Sequence, residues 1–187
     1  MNLLLVGTGG HARPVEEAAR DNGHAVTAYA ATERPDWLDA PVFRDEDPLP
    51  EEISGFAMGL GGTDPESLRR RLDLFRRYAA CTLTAVTLVH SRAFVAADAA
   101  IAGGVTVLAG ALINAGARVG EAAIVNTGAI VEHDAVVEAG AHVAPGAILL
   151  GATHIGSCAM IGAGAVVLPG ADVPADALVP SLTRYPR

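Results

Sequence analysis

Residues 111–131 read ALINAGARVGEAAIVNTGAIV, and within them Ile113, Val119, Val125 and Val131 fall six residues apart. The same register holds upstream at Val89, Val95, Ile101 and Val107. Downstream it holds at Val137, Val143, Leu149, Ile155, Ile161, Val167, Val173 and Val179, making sixteen positions without a gap. Two residues before these, from Ala93 to Ala177, stands Ala in every repeat except at Val105 and Thr153. A period of six fits neither the 3.6 of a helix nor the alternation of a strand. It fits a triangular β-solenoid with six residues on each side and eighteen in each coil. The large aliphatic residue is expected to fill the prism interior, and the Ala to fit where the chain turns the corner.

Composition narrows the function classes. The 187 residues suffice for one large domain or two small ones, and 51% are hydrophobic although only 4% are aromatic. Thin stacked coils of Ala, Val and Leu suit that balance. All 13 basic residues are Arg, so Schiff-base and P-loop lysine chemistry are excluded. A formal charge of −8 argues against a nucleic-acid partner. Cys81 and Cys158 stand alone and read as reduced thiols of a cytoplasmic protein. The chain opens directly on an apolar strand, Leu3–Val6, with no leader pattern. Ala93 to Ile113 is apolar enough to suggest a membrane span, but Asp98 and the unbroken six-residue register argue against one.

Residues 1–84 follow different rules. Leu3–Val6, Ala25–Ala30, Phe56–Leu60 and Thr82–Val89 read as strands. Arg13–Asn22 and Pro65–Tyr78 read as helices, the second capped by Asp64. Leu68, Leu72 and Phe75 give that helix its apolar face, with Arg69, Arg70, Arg71, Arg76 and Arg77 expected mostly in solvent. Thr32–Ser54, with its prolines and the acidic run Asp45-Glu46-Asp47, reads mostly as loop. The order predicts a small Rossmann-like parallel sheet with crossover helices, an α/β domain leading into the solenoid of residues 85–187. The turn Gly7-Thr8-Gly9-Gly10-His11-Ala12 formally matches a dinucleotide fingerprint. NAD would want an acid ending the second strand, where Tyr29-Ala30-Ala31-Thr32 stands instead. A phosphate- or nucleotide-bearing substrate, or a purely structural turn, are the other readings.

In the solenoid, His133 lies between Glu132 and Asp134. Imidazole titrates near neutrality, and a neighbouring carboxylate can set its tautomer and stabilise its cation. Gly151, eighteen residues on, falls one coil along on the same side, where its N–H could meet a reacting carbonyl. His142 is half a coil from His133, so the two are expected to meet only across an oligomer interface. The spacings among His133, His142 and His154 do not gather them on one side, and no metal is expected.

The chain resembles the hexapeptide-repeat acyltransferases, within them the sialic-acid O-acetyltransferase and nucleotide-aminosugar N-acetyltransferase family. The resemblance rests on the glycine turn at 7–12, Thr87-Leu88-Val89-His90-Ser91, Ala109–Asn114 and Val125–Asp134, and covers nearly the whole chain. It implies a left-handed parallel β-helix, a homotrimer, and acyl transfer from acetyl-CoA or another acyl-CoA to an amine or hydroxyl of a sugar or nucleotide-sugar. By position it implies a general base at His133 with Asp134 as its acidic partner. Asn126, His142 and Gly151 fall at the donor site, and Gly9, Gly10 and His11 at the acceptor turn. Direct attack on the thioester is implied, without an acyl-enzyme. Two departures stand out. Ala30-Ala31 replace the paired acids of relatives that bind a UDP-sugar. After Gly164–Gly170 about one coil is expected to be missing at the end that embraces CoA. A non-catalytic trimeric scaffold and a metal-dependent hydratase like the γ-type carbonic anhydrases are the alternatives. The second would want two His five residues apart, a pair this chain lacks.

Overall fold

The structure is a computed structural model that describes residues 1–44 and 47–186. Asp45 and Glu46 of the acidic run lie outside the described residues. The N-terminal part holds β1 (Asn2–Val6), β2 (Ala25–Ala30), β3 (Val42–Phe43), β4 (Ile53–Met58) and β5 (Thr84–Ala85), with helices α1 (Ala12–Asp21) and α2 (Pro65–Ala79). The strands are parallel in the order β3-β2-β1-β4-β5, the doubly wound arrangement the pattern predicts. Asp64 caps α2 with a full capping box to Ser67. The stretch read as loop contains β3, which adds an edge strand beside β2. The strand expected over Thr82–Val89 is split: Thr84–Ala85 joins the N-terminal sheet and Leu88–Val89 starts the solenoid.

From Leu88 onward a two-residue strand recurs every six residues, and each pairs in parallel with the strand eighteen residues away, as Leu112 does with Ile130 and Ile130 with Ile148. Three sheets of six, six and five strands form the sides of a prism. Face I begins at Leu88–Val89, face II at Phe94–Val95 and face III at Ala100–Ile101. The aliphatic register fills the interior, and so does the Ala register, with residues such as Ala117 and Val131 fully buried. Ala therefore belongs to the core as well as to the corner. The sharp turn comes one residue earlier. Every sixth residue from Gly104 to Leu182 has a left-handed backbone, and Gly fills eight of these positions. The register also continues one repeat past Val179, to Tyr185, which packs on the interior and donates its hydroxyl to Asp172 O at 3.1 Å.

Helix α2 joins the two parts. It lies along the corner between faces III and I, where small residues admit its side chains. Phe75 rests on Gly104 so closely that a Cβ there would collide with its ring, and Leu72 packs on Gly140, where a Cβ would stand at a tight 3.1 Å. Leu68, Leu72 and Phe75 share one core with Ala122, Ala144, Cys158 and Met160 of the solenoid. Arg69 pairs with Asp176 and Arg76 with Glu121 along the rim of the contact. Both pairs are exposed and screened by water, so buried apolar area dominates. Arg71 departs from the solvent-facing expectation: it is completely buried under the helix.

Leu149 fills the prism between coils and has no exposed surface. Leu149→Ala is expected to cost about 2–5 kcal/mol, read by urea unfolding.

Candidate active site

The corner between faces II and III carries His133 and Asp134. His133 Nδ1 and Asp134 Oδ2 are 2.9 Å apart, and both side chains reach into solvent. Asp134 sits in the left-handed column that is mostly glycine, with φ 60°. Aspartate tolerates this region better than most residues, but the geometry is still uncommon. It turns the carboxylate back toward the preceding imidazole. Two glycines frame the pair. A Cβ on Gly116 would stand 2.7 Å from Asp134 Oδ1, and a Cβ on Gly151 would stand 2.5 Å from His133 Nε2. Sequence reading singled out Gly151 but missed Gly116, whose signal is its place eighteen residues before an Asp in a glycine column.

The hydrogen bond to Asp134 raises the His133 pKa above the ordinary imidazole value, and the charges of Asp134 and Glu132 act in the same direction. With Nδ1–H donated to Asp134, the Nε2 lone pair is left for a proton from substrate. Among the described residues, Gly151 N–H has no acceptor within the protein. It therefore keeps a donor available beside the imidazole.

His142 and Asn126 lie elsewhere. His142 is on face I, only 6% exposed, under the loop that follows β4. Its Nδ1 donates to Gly62 O at 2.8 Å, which leaves Nε2 to accept from Asn126 Nδ2 at 2.9 Å. Asn126 Oδ1 in turn accepts from Thr127 N at 2.8 Å. Burial pulls the His142 pKa down to about 4, against the bond to Gly62, and the nearby Arg71 cation adds to the fall. His142 is thus a neutral imidazole with one fixed tautomer. Asn126 and His142 do not meet His133 and Asp134 in one chain. The first pair borders face II at its edge with face I, the second at its edge with face III. His154 is held on face III between Glu138 and Asp172 at 2.9 Å each, with its side chain still partly in solvent. The three histidines stand on separate sides of the prism.

A cavity of about 570 Å³ opens at the carboxyl ends of β1, β2 and β4, where open α/β sheets bind ligands. Gly7, Thr8 and Gly9 line it together with Ala31, Arg44 and Leu60. Of the expected acceptor-turn residues, Gly9 lines this cavity. Gly10 is exposed beside it. His11 turns inward toward Gly61, and its ring centroid is 6.4 Å from that of His142. Burial, with help from Arg71, lowers the His11 pKa to about 3.

No family model and no curated protein matches the chain, but solved structures do. The N-acetyltransferase PerB from Caulobacter crescentus, solved with CoA and GDP-perosamine, shares 33% identity over 100% of this chain and 89% of its own, with a TM-score of 0.91. A histidine-to-alanine variant of GDP-perosamine N-acetyltransferase from the same organism, with the same two ligands, gives 32% identity, the same coverage and 0.91. The chain belongs to the hexapeptide-repeat nucleotide-aminosugar N-acetyltransferases. The acetyltransferase domain of PglB from Neisseria gonorrhoeae, solved with acetyl-CoA, matches this acetyltransferase at 27% identity over 96% of this chain and 95% of its own, with a TM-score of 0.83. The solenoid of this acetyltransferase is the left-handed parallel β-helix of the family.

Gly151 has an ordinary backbone conformation, so the fold itself tolerates a methyl there. Gly151→Ala is expected to displace the His133 ring and lower turnover at least tenfold, with the melting temperature nearly unchanged. Parallel assay and thermal unfolding check both parts.

Proposed function

We propose that this chain moves the acetyl group of acetyl-CoA to the amine of a nucleotide-linked amino sugar, with His133 as general base. The observation that carries the reading is the His133–Asp134 pair, framed by Gly116 and Gly151 on an open corner of the β-helix. The relatives solved with CoA, acetyl-CoA and GDP-perosamine support both substrates. The relative studied as histidine variants supports a histidine at the reaction centre. The acceptor amine attacks the thioester carbonyl directly. His133 Nε2 takes the proton the amine sheds as the C–N bond forms, and Gly151 N–H faces the developing oxyanion. The C–S bond then breaks, and the proton passes from His133 to the departing CoA thiolate.

Residues 1–84 hold the acceptor nucleotide, with Gly9, Gly10 and His11 at its glycine turn, and residues 85–187 carry donor and chemistry. Asn126 and His142 of one subunit face His133 of the next in a homotrimer. Face II supports this arrangement. Its outward stripe of Phe94, Leu112, Ile130, Ile148 and Val166 is apolar, and Phe94 is 53% exposed. A heterologous contact closed by threefold rotation buries the stripe and brings opposite edges of face II together. Among the described residues no helix is long and apolar enough to cross a membrane. The cytoplasm, where acyl-CoA and sugar nucleotides are made, is the proposed location.

His133→Ala is expected to lose about 10²–10⁴-fold in turnover with assembly intact. Full activity in that variant sinks the assignment. Because Asp134 raises the base's pKa, activity should fall on acidification through a value above the ordinary imidazole range. Asp134→Asn should move that acid limb to lower pH, read from kcat/KM against pH. Calorimetry with acetyl-CoA, with and without GDP-perosamine, tests the donor first. Light scattering should give three times the chain mass, and a monomer alone would refute the shared site.

A further inference from the structure

Arg71 is the largest fully buried side chain of the described residues, and among them no carboxylate pairs with it. Burial lowers its pKa only to about 10, so it remains a cation at neutral pH. A buried, unpaired guanidinium is costly unless carbonyl groups take its protons. Two do, and they come from different parts of the protein. Nε donates to Leu60 O at 2.6 Å in the loop after β4, and Nη1 donates to Ala122 O at the solenoid corner. Leu60 lines the acceptor cavity, and its N–H is bonded to Val6 O at the end of β1 at 2.8 Å. Two residues further, Gly62 O holds His142 Nδ1. Leu60–Gly62 is thus held from both the sheet and the solenoid, while Leu60 keeps one side open to the cavity. Gly7 packs on Leu60, His11 on Gly61 and Leu68 on Gly62, each within about 3.2 Å of a glycine Cβ position.

We infer that Arg71 is a positioning residue: it locks the Leu60–Gly62 loop to the β-helix, and so fixes the acceptor cavity and the Asn126–His142 pair in one register. The loop is the shared wall of both. Without the guanidinium, Leu60 O and Ala122 O lose their buried donor, and among the described residues the loop's remaining polar tie to the solenoid is His142. An apolar side chain of equal length fills the same space but cannot hold two carbonyls at once. Lysine keeps the charge but lacks the fork of planar donors and reaches one carbonyl only. The orphaned Nη2, buried without a partner, shows how closely the group is enclosed.

The part of this inference that concerns the acceptor rests on the proposed function; the part that concerns His142 does not. The test therefore has two readouts on Arg71→Met and Arg71→Lys in the full-length protein. The first is the ¹⁵N imidazole spectrum of His142, assigned by its loss in His142→Asn. The second is the Kd for GDP-perosamine and, separately, for CoA. In Arg71→Met, the single Nδ1–H tautomer of His142 should give way to a mixture. Its affinity for GDP-perosamine should fall tenfold or more, and CoA affinity, to which the Asn126–His142 pair contributes in the proposed site, should fall by a smaller factor. Arg71→Lys should be intermediate. A folded Met variant with an unchanged tautomer and unchanged GDP-perosamine affinity overturns the inference. So does an equal loss of both affinities in proportion to unfolded protein. If the Met variant does not fold, unchanged values of both readouts in the Lys variant overturn it. Wild-type protein that binds no GDP-perosamine but shows the tautomer loss in Arg71→Met contradicts the acceptor reading while leaving the loop's role standing.

Discussion

The interior of the prism has room, on each side of each coil, for one branched aliphatic side chain and one methyl group. That limit sets the rest. A side six residues long must turn the corner of a triangle within two residues, and from Gly104 to Leu182 a left-handed backbone at one of them does so. The corners are therefore built from glycine and a few residues that accept the strain. The faces carry short strands whose outward side chains alternate with the filled interior. Function is left to the corners, where side chains such as His133 project past the sheets, and to whatever the faces can hold against a neighbour. Helix α2 uses the same limit from outside: its Phe75 and Leu72 fit because Gly104 and Gly140 present no side chain.

The register of the solenoid was fully legible because packing in a repeat structure is nearly one-dimensional. Each coil contacts only the next, so eighteen-residue spacing translates directly into adjacency. Gly151 could be placed beside His133 from arithmetic alone. The same arithmetic shows that Gly116 lies beneath Asp134, a neighbour that needed the column to be read as well as the row. The N-terminal domain was less legible at its edges. Val42–Phe43 is too short to show a period, and the strand over Thr82–Val89 has no sequence mark for the break between two sheets. Arg71 was misplaced for a physical reason. Helical spacing puts it on the same stripe as Leu68, Leu72 and Phe75, but its charge argued for solvent. Nothing in the helix's own pattern reveals that a solenoid carbonyl waits on that side. The interdomain hydrogen bonds of His142 and Arg71 are contacts between distant parts of the chain, to which periodicity is blind.

The two polar groupings on the β-helix differ in character. His133 and Asp134 are solvent-facing, with the imidazole basicity raised. His142 is enclosed, neutral and committed to one tautomer by Gly62. One suits a group that gains and loses a proton, the other a group that holds a neighbour still. In the proposed homotrimer, their separation across the apolar face II makes that face part of the chemistry, since the distance between them would be decided by how two copies lie against each other.

The eighteen-residue coil also constrains how such a protein can change length. Each corner column is in phase with the columns above and below it, and the His133–Asp134 pair keeps its place between Gly116 and Gly151 only while that phase holds. A single inserted residue inside a side would rotate every later column by a fraction of a turn and carry Gly151 away from the imidazole. Adding or removing a complete coil above or below the dyad leaves the phase untouched. Length in this half of the molecule is therefore quantised, and smaller insertions can be absorbed only as loops that leave a corner and return to it.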